Sequence, residues 1–236
     1  MTPSIWRLFH KACQQYNLLV DGDKVLIGLS GGKDSLLLTE LLGRQAQIYK
    51  PRISVEAVHV RVKERNYLSD LTYLQSFCDT AMVPFTVLDT EITDPSHLGD
   101  LTVQRPPKDP CFLCSWYRRK ALLNYAQEKG FNKIAFGHHQ DDVLHTLLMN
   151  MIYEGRFTSI EPALKLDKMP LTLIRPLWLI KEELIRSYAD EIGYHKQLKL
   201  CPYEHVTSRT DARKLLTRLE QLNPDVRSSL IHALNR

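Results

Sequence analysis

Short runs of β-branched and aliphatic residues alternate along this chain with longer stretches in which apolar side chains return every three or four positions. The runs at residues 24–29, 53–60, 84–89, 132–136 and 172–177 read as strands. Helical spacing covers residues 4–16, 36–45, 67–82, 115–129, the stretch after Asp142 to about 153, 181–193, 209–221 and 224–234. Strands that alternate with helices imply parallel βαβ units with right-handed crossovers, hence an α/β fold around a five-stranded parallel sheet flanked by helices. The last two helices form a small helical C-terminal tail. The expected division is 1–195 for the sheet domain with its leading helix and 196–236 for the tail. Between residues 90 and 110 the periodicity vanishes and prolines gather (Pro95, Pro106, Pro107, Pro110), which suits a flap near a functional site.

Composition adds boundaries to this picture. At 236 residues, 44% hydrophobic and 25% charged, the chain has the make-up of a globular protein. The apolar runs are too short to span a membrane and the N-terminus lacks a signal-peptide core, so a cytoplasmic protein without a membrane partner is expected. A net charge of +4 permits a nucleic-acid partner without requiring one. Arg61, Lys63 and Arg65 form one basic edge, and Arg209, Arg213, Lys214 and Arg218 form a stripe at helical spacing. A solvated helix face is the ordinary explanation of such a stripe. Five cysteines in a reducing compartment point to metal binding or catalysis before disulfides.

The chemistry begins where the first strand ends. Ser30-Gly31-Gly32-Lys33-Asp34-Ser35 joins a buried strand to a helix start, where backbone N–H groups and the helix dipole make an anion site. Lys33 adds a full charge, and Ser30 and Ser35 add hydroxyl donors. A Walker A loop would need glycine five residues before Gly32 and a hydroxyl after Lys33, but Ile27 and Asp34 stand there.

In a parallel sheet the ligand crevice opens at the carboxyl ends of the strands. The 30–35 loop, the segment Val58-His59-Val60 and the segment Gly137-His138-His139-Gln140-Asp141-Asp142 all leave strands there. Backbone groups near Val58, His59 and Val60 can hold adenine, with phosphates over the 30–35 loop. Asp34, Asp141 and Asp142 offer hard oxygen ligands for Mg²⁺. His138, Asp142 and His145 share one helical face and could instead bind a transition metal. A phosphate loop on a neighbouring strand favours the nucleotide site.

Cys111 and Cys114 have C-x-x-C spacing, open to a redox dithiol, a zinc half-site or iron–sulfur ligation. A thioredoxin-like pair would follow a first strand, and this pair follows a long loop after the third. For zinc, Cys201 and His205 complete a Cys₃His set. For iron, three thiolates hold a [4Fe–4S] cluster and leave one iron open. Spacing does not separate these last two. Cys13 and Cys78 sit among apolar neighbours and read as core residues. Trp116 or Tyr117 could stack on an unpaired base, with core packing the stronger reading for Tyr117.

Residues 30–35 resemble the pyrophosphate loop of the PP-loop ATP pyrophosphatases, which cleave ATP to AMP and pyrophosphate and adenylate a substrate oxygen. Cys111-Phe-Leu-Cys114-Ser115 followed by Arg118-Arg119, then Gly137 to Asp142, then an isolated cysteine, is similar to the tRNA 2-thiocytidine synthetase group of that family over roughly residues 20–205. The resemblance implies an adenine nucleotide alpha hydrolase-like (HUP-type) sheet. It implies ATP, Mg²⁺ and a [4Fe–4S] cluster on Cys111, Cys114 and Cys201. Ser30, Gly31, Gly32, Lys33, Asp34, Ser35, Val58, His59, Val60, Gly137 and His138 then bind the cofactor, and Lys33, Asp34, Asp141, Asp142 and Arg118 are catalytic. The substrate would be cytidine 32 of tRNA, with sulfur from a cysteine desulfurase or free sulfide, and a homodimer as the assembly. Two features depart from the pattern: Glu204 stands where a second C-x-x-C partner of Cys201 is often found, and the chain is short at its ends. Two other readings keep the fold. In one an amine attacks the adenylate and zinc staples the cysteines, and in the other the chain binds nucleotide without turnover.

Overall fold

The computed structural model describes residues 2–62, 69–91, 110–195 and 209–235, and only the backbone of 110–113 and 209. After helix α1 (Pro3–Gln15), β1 (Lys24–Gly28) leads into α2 (Lys33–Ala46), and β2 (Ser54–Val62) into α3 (Leu71–Thr80). The chain continues through β3 (Phe85–Thr90), α4 (Pro110–Glu128), β4 (Lys133–Ala135) and α5 (Gln140–Met149), whose last turn loosens into a π-helical turn (Asn150–Glu154). Then come β5 (Ala163–Lys165), β6 (Thr172–Ile174), α6 (Glu182–Ile192), α7 (Arg209–Leu222) and α8 (Val226–Leu234).

The sheet has six strands in the order β3-β2-β1-β4-β6-β5, one more than the five expected. The extra strand, β5, pairs antiparallel with β6 through Ala163↔Ile174, Leu164↔Leu173 and Lys165↔Thr172. Three residues are too few to carry an alternation, so the sequence pattern passes over it. All other neighbours are parallel.

A parallel strand covered on both faces must be apolar on both. In β1, Val25 and Ile27 pack with α1, α2 and α6 in one core. Leu26 faces the other way, into a second core with Leu122 and Ala126 of α4. A third, smaller cluster seats α7 on α5 through Leu144, Leu148, Ala212 and Leu216.

Helix α4 begins at Pro110, not at residue 115 as the periodicity suggests. Proline has no N–H to lose at a first helical position, so it can open a helix as readily as sit in a loop. Positions 111 and 114 therefore lie in the opening turns of α4. Most of the proline-rich stretch, Lys63, Arg65, Cys201, Glu204, His205 and the side chain of Cys111 lie outside the described residues. Among the described residues no helix is long and apolar enough to cross a membrane.

Strand order reverses on either side of β1, with β2 beside it on one flank and β4 on the other. At such a switch point the connections leave in opposite directions and a crevice opens at the carboxyl edge. The 30–32 turn after β1 and the 136–139 turn after β4 form its two lips.

Candidate active site

The first lip is built by glycine and serine. Gly31 has φ of 83°, a left-handed backbone that costs a residue with a Cβ about 1 kcal/mol. The turn closes through Ser35, whose Oγ donates to Gly32 O at 2.9 Å and accepts from Ser30 N at 3.2 Å. Ser30 Oγ lies 3.1 Å from Ser35 Oγ. With the hydroxyls bound within the turn, the first amides of α2 face the crevice at the positive end of the helix. Lys33 Nζ sits between two carboxylates, 3.1 Å from Asp34 and 3.1 Å from Glu182.

The second lip rests directly on the first. A Cβ added to Gly137 would lie 3.0 Å from Asp34 C and 3.2 Å from Ser35 N, so only a bare glycine lets the loops touch without adjustment. His139 caps α5, and its N–H donates to Asp142 Oδ2 at 3.1 Å. The buried ring of His139 places Nε2 3.8 Å from Asp34 and 3.5 Å from Asp142. Asp34, Asp142 and Lys33 thus come together in one place, as the sequence suggests.

Asp141 behaves differently from its neighbour. Its Oδ2 accepts from the Glu182 N–H at 2.7 Å, and its Oδ1 accepts from Arg227 at 2.8 Å. Arg227 also donates to Glu220 at 2.5 Å. Burial alone would raise the Asp141 carboxyl, but Arg227 and the Glu182 amide hold it below the ordinary 3.8. Asp141 therefore ties α5 to α6 and α8. Glu182 is likewise held low, because Lys33 outweighs the opposing effect of burial. Replacing Arg227 by alanine leaves a buried carboxylate without its cation. We expect a loss of about 3 kcal/mol in chemical denaturation, since breaking such a pair costs ~3–5 kcal/mol.

Val58, His59 and Val60 lie inside β2, which continues to Val62 instead of ending there, and the buried His59 Nδ1 donates to Leu29 O at 2.8 Å and fixes the start of the loop. Val58 and Val60 turn to the α4 side. Burial pushes His59 and His145 below the ordinary 6.5. The stability that their neutral forms contribute is complete above 6.5 and lost as pH falls through it toward the lower folded values. Melting temperature is expected to drop across that window, and His145→Gln to flatten the drop. His138 precedes α5, so it does not share a helical face with Asp142 and His145. Among the described residues no three His, Cys, Asp or Glu gather as a metal site.

Helix α4 brings the cysteine motif to the same edge. Leu122 faces Gly28, with Cδ1 3.5 Å from where a Cβ would be. Cys114 precedes Leu122 by eight residues, so it lies about 12 Å further up the helix axis, on the carboxyl side of the strand ends. It is half-buried and free of disulfides. A thiolate donor near a helix start, with Arg118 and Arg119 in the next turn, suits a soft metal. Cys13 and Cys78 are the opposite case: both are buried in the other core, and burial pushes their thiols up to about 12. Among the described residues, Cys114 is the thiol at the crevice edge, and a thiolate is a donor that fits an iron–sulfur group. Tyr117 is core, and Trp116 lies half-buried with Lys120 Nζ 5.0 Å from its ring centroid.

Among the basic residues, Arg61 is matched by Asp89 directly opposite on β3, through bonds of 2.7 and 2.8 Å. Arg213 is exposed and lies 3.6 Å from Glu182. The sequence reading missed Glu182, Arg227 and Arg175. Acidic residues at 182 and 183 look like an ordinary helix start, and Arg227 becomes relevant only through the fold. Arg175 did carry a signal, a charge breaking the apolar strand Thr172-Leu173-Ile174.

A switch-point crevice with a glycine-rich anion loop on one lip and paired aspartates on the other defines a PP-loop domain, and the PP-loop domain family matches residues 3–196. A tRNA-cytidine(32) 2-sulfurtransferase of Coxiella burnetii is 32% identical over 228 residues, covering 95% of this chain and 86% of the relative. One from Bdellovibrio bacteriovorus is 33% identical over 221 residues, covering 93% and 83%. Among solved structures, the U34-tRNA thiolase NcsA of Methanococcus maripaludis with its [4Fe-4S] cluster superposes with a TM-score of 0.76 at 26% identity, covering 98% of this chain and 77% of that one. An NH3-dependent NAD synthetase of Campylobacter jejuni shares the fold, with a TM-score of 0.51 at 18% identity over 98% and 93%. The chain belongs to the PP-loop family and, within it, to the tRNA-cytidine(32) 2-sulfurtransferases.

Proposed function

We propose that this chain is an ATP-dependent tRNA sulfurtransferase that adenylates the 2-carbonyl oxygen of cytidine 32 and replaces that oxygen with sulfur. The observation that carries the reading is the placement of two chemistries on one edge. The anion loop and the opening turns of α4 both face the crevice at the carboxyl ends of the strands.

ATP lies with its β- and γ-phosphates over the first amides of α2 and its adenine against the ends of β1 and β2. Lys33 exchanges its carboxylate partners for phosphate oxygens and stabilises charge that develops on departing pyrophosphate. Mg²⁺ would be held by Asp34 and Asp142, which flank His139, while Asp141, with both oxygens engaged, keeps α5 and α6 in place. The base carbonyl oxygen attacks the α-phosphorus, and the bond to pyrophosphate breaks. Sulfide, supplied directly or by thiol reduction of a desulfurase persulfide, then adds at the activated carbon, and the C–O bond breaks so that the original oxygen leaves with AMP. Cys111, Cys114 and Cys201 would hold a [4Fe–4S] cluster, whose chemistry when bound is to present sulfur at an iron that no protein thiolate occupies. Arg118 faces the reacting groups from α4 and balances their negative charge.

The test is anaerobic incubation of reconstituted protein with ATP, tRNA from cells lacking the modification, and sulfide or a cysteine desulfurase with cysteine as donor. Mass spectrometry of the digested tRNA should find 2-thiocytidine, dependent on ATP. Absence of thiolated nucleoside with both donors refutes the reading.

A further inference from the structure

The carboxyl edge carries a buried cation that none of these steps uses. Arg175 follows β6 directly, one strand over from the second lip, where Phe136 N–H donates to Ile174 O at 3.0 Å. Leu173 packs on the α4 side of the sheet and Ile174 on the opposite side, so alternation returns Arg175 to the α4 side. Only 8% of Arg175 is exposed. One terminal nitrogen donates to the Glu161 carbonyl, and Nε has no hydrogen-bond partner among the described residues. Burial pushes the guanidinium below its ordinary value; the Glu161 charge opposes this at longer range, and Arg119 of α4 adds to it. A guanidinium removed from water without a carboxylate in contact is a costly arrangement, and arginine is seldom kept that way. The missing anion is one that the described chain does not supply. A planar fork with an unused N–H suits the oxygens of a phosphate.

We propose that Arg175 forms a phosphate-binding site on the α4 side of the crevice at the end of β6, with the positive charge of Arg119 on α4 adding to it. This inference rests on the tRNA thiolation reading. Two sources offer the same chemistry: a backbone phosphate next to the target nucleotide, and the α-phosphate of the adenylated base. In the first case Arg175 positions the RNA. In the second it contacts the reacting group.

Arg175→Met and Arg119→Gln in the full chain decide the matter. Methionine keeps the bulk and removes the buried charge, so the folded state should be at least as stable as wild type. If the anion is a backbone phosphate, Arg175→Met weakens tRNA binding about tenfold and lowers the salt slope by about one. If it is the α-phosphate, tRNA affinity holds and pyrophosphate release at saturating ATP and tRNA falls about 100-fold. Arg119→Gln, at an exposed position, should move the same quantity in the same direction by a smaller factor. A folded Arg175→Met protein with wild-type tRNA affinity and turnover overturns the site. Should that variant fail to fold, wild-type behaviour in Arg119→Gln overturns it. Wild-type protein without tRNA-dependent pyrophosphate release would refute the thiolation reading itself, a distinct outcome.

Discussion

Alanine in place of Lys33 is expected to slow tRNA-dependent pyrophosphate release about 10²–10³-fold while leaving the fold intact. The size follows from losing a preorganised charge aimed at the leaving group, which is worth roughly 3–4 kcal/mol in a sheltered site. The fold is spared because Lys33 is 29% exposed and its pairs with Asp34 and Glu182 are of the partly solvated kind that contribute ~1 kcal/mol or less. ATP should still bind weakly, since the amides at the start of α2 remain. A Lys33→Ala protein that releases pyrophosphate at the wild-type rate would show that the loop does not handle the departing phosphates.

Cys114→Ala separates the two halves of the reaction. Iron content and thiolated nucleoside are expected to fall to background, while tRNA-dependent pyrophosphate release stays within about tenfold of wild type, a change of ~1.4 kcal/mol at most. The reason is spatial: the ion pairs and turn of the 30–35 loop make no use of Cys114, which sits across the crevice on α4. Cys13→Ala and Cys78→Ala provide the contrast. Both thiols are buried in the opposite core, so those variants should keep their iron and lose ~1 kcal/mol of stability from packing. Iron loss in Cys78→Ala with retention in Cys114→Ala would reverse the assignment.

The parts of this structure that could be read in the sequence are those written locally. The glycine turn after β1 is legible because an unbroken apolar run stops just before Gly31-Gly32 and an apolar period of 3.6 starts at once. The parallel order follows from strands alternating with helices. What the sequence hid depends on contacts between distant residues. Asp141 and Asp142 look alike side by side, yet Arg227, far along the chain, folds back onto one of them and makes it a tie. Glu182 gains its role only because α6 packs against the start of α2 and reaches Lys33. Strand β5 was hidden for another reason, since three residues, Leu164 and Lys165 among them exposed, carry no periodicity. The start of α4 was misplaced because proline suits both a loop and a first helical turn.

The claim beneath all of this is that the oxygen lost from the base leaves on AMP. A tRNA carrying ¹⁸O at the 2-carbonyl of cytidine 32 tests it in one turnover. Mass spectrometry of the products should find one ¹⁸O in AMP for each 2-thiocytidine formed. Unlabelled AMP alongside thiolated tRNA would contradict the account.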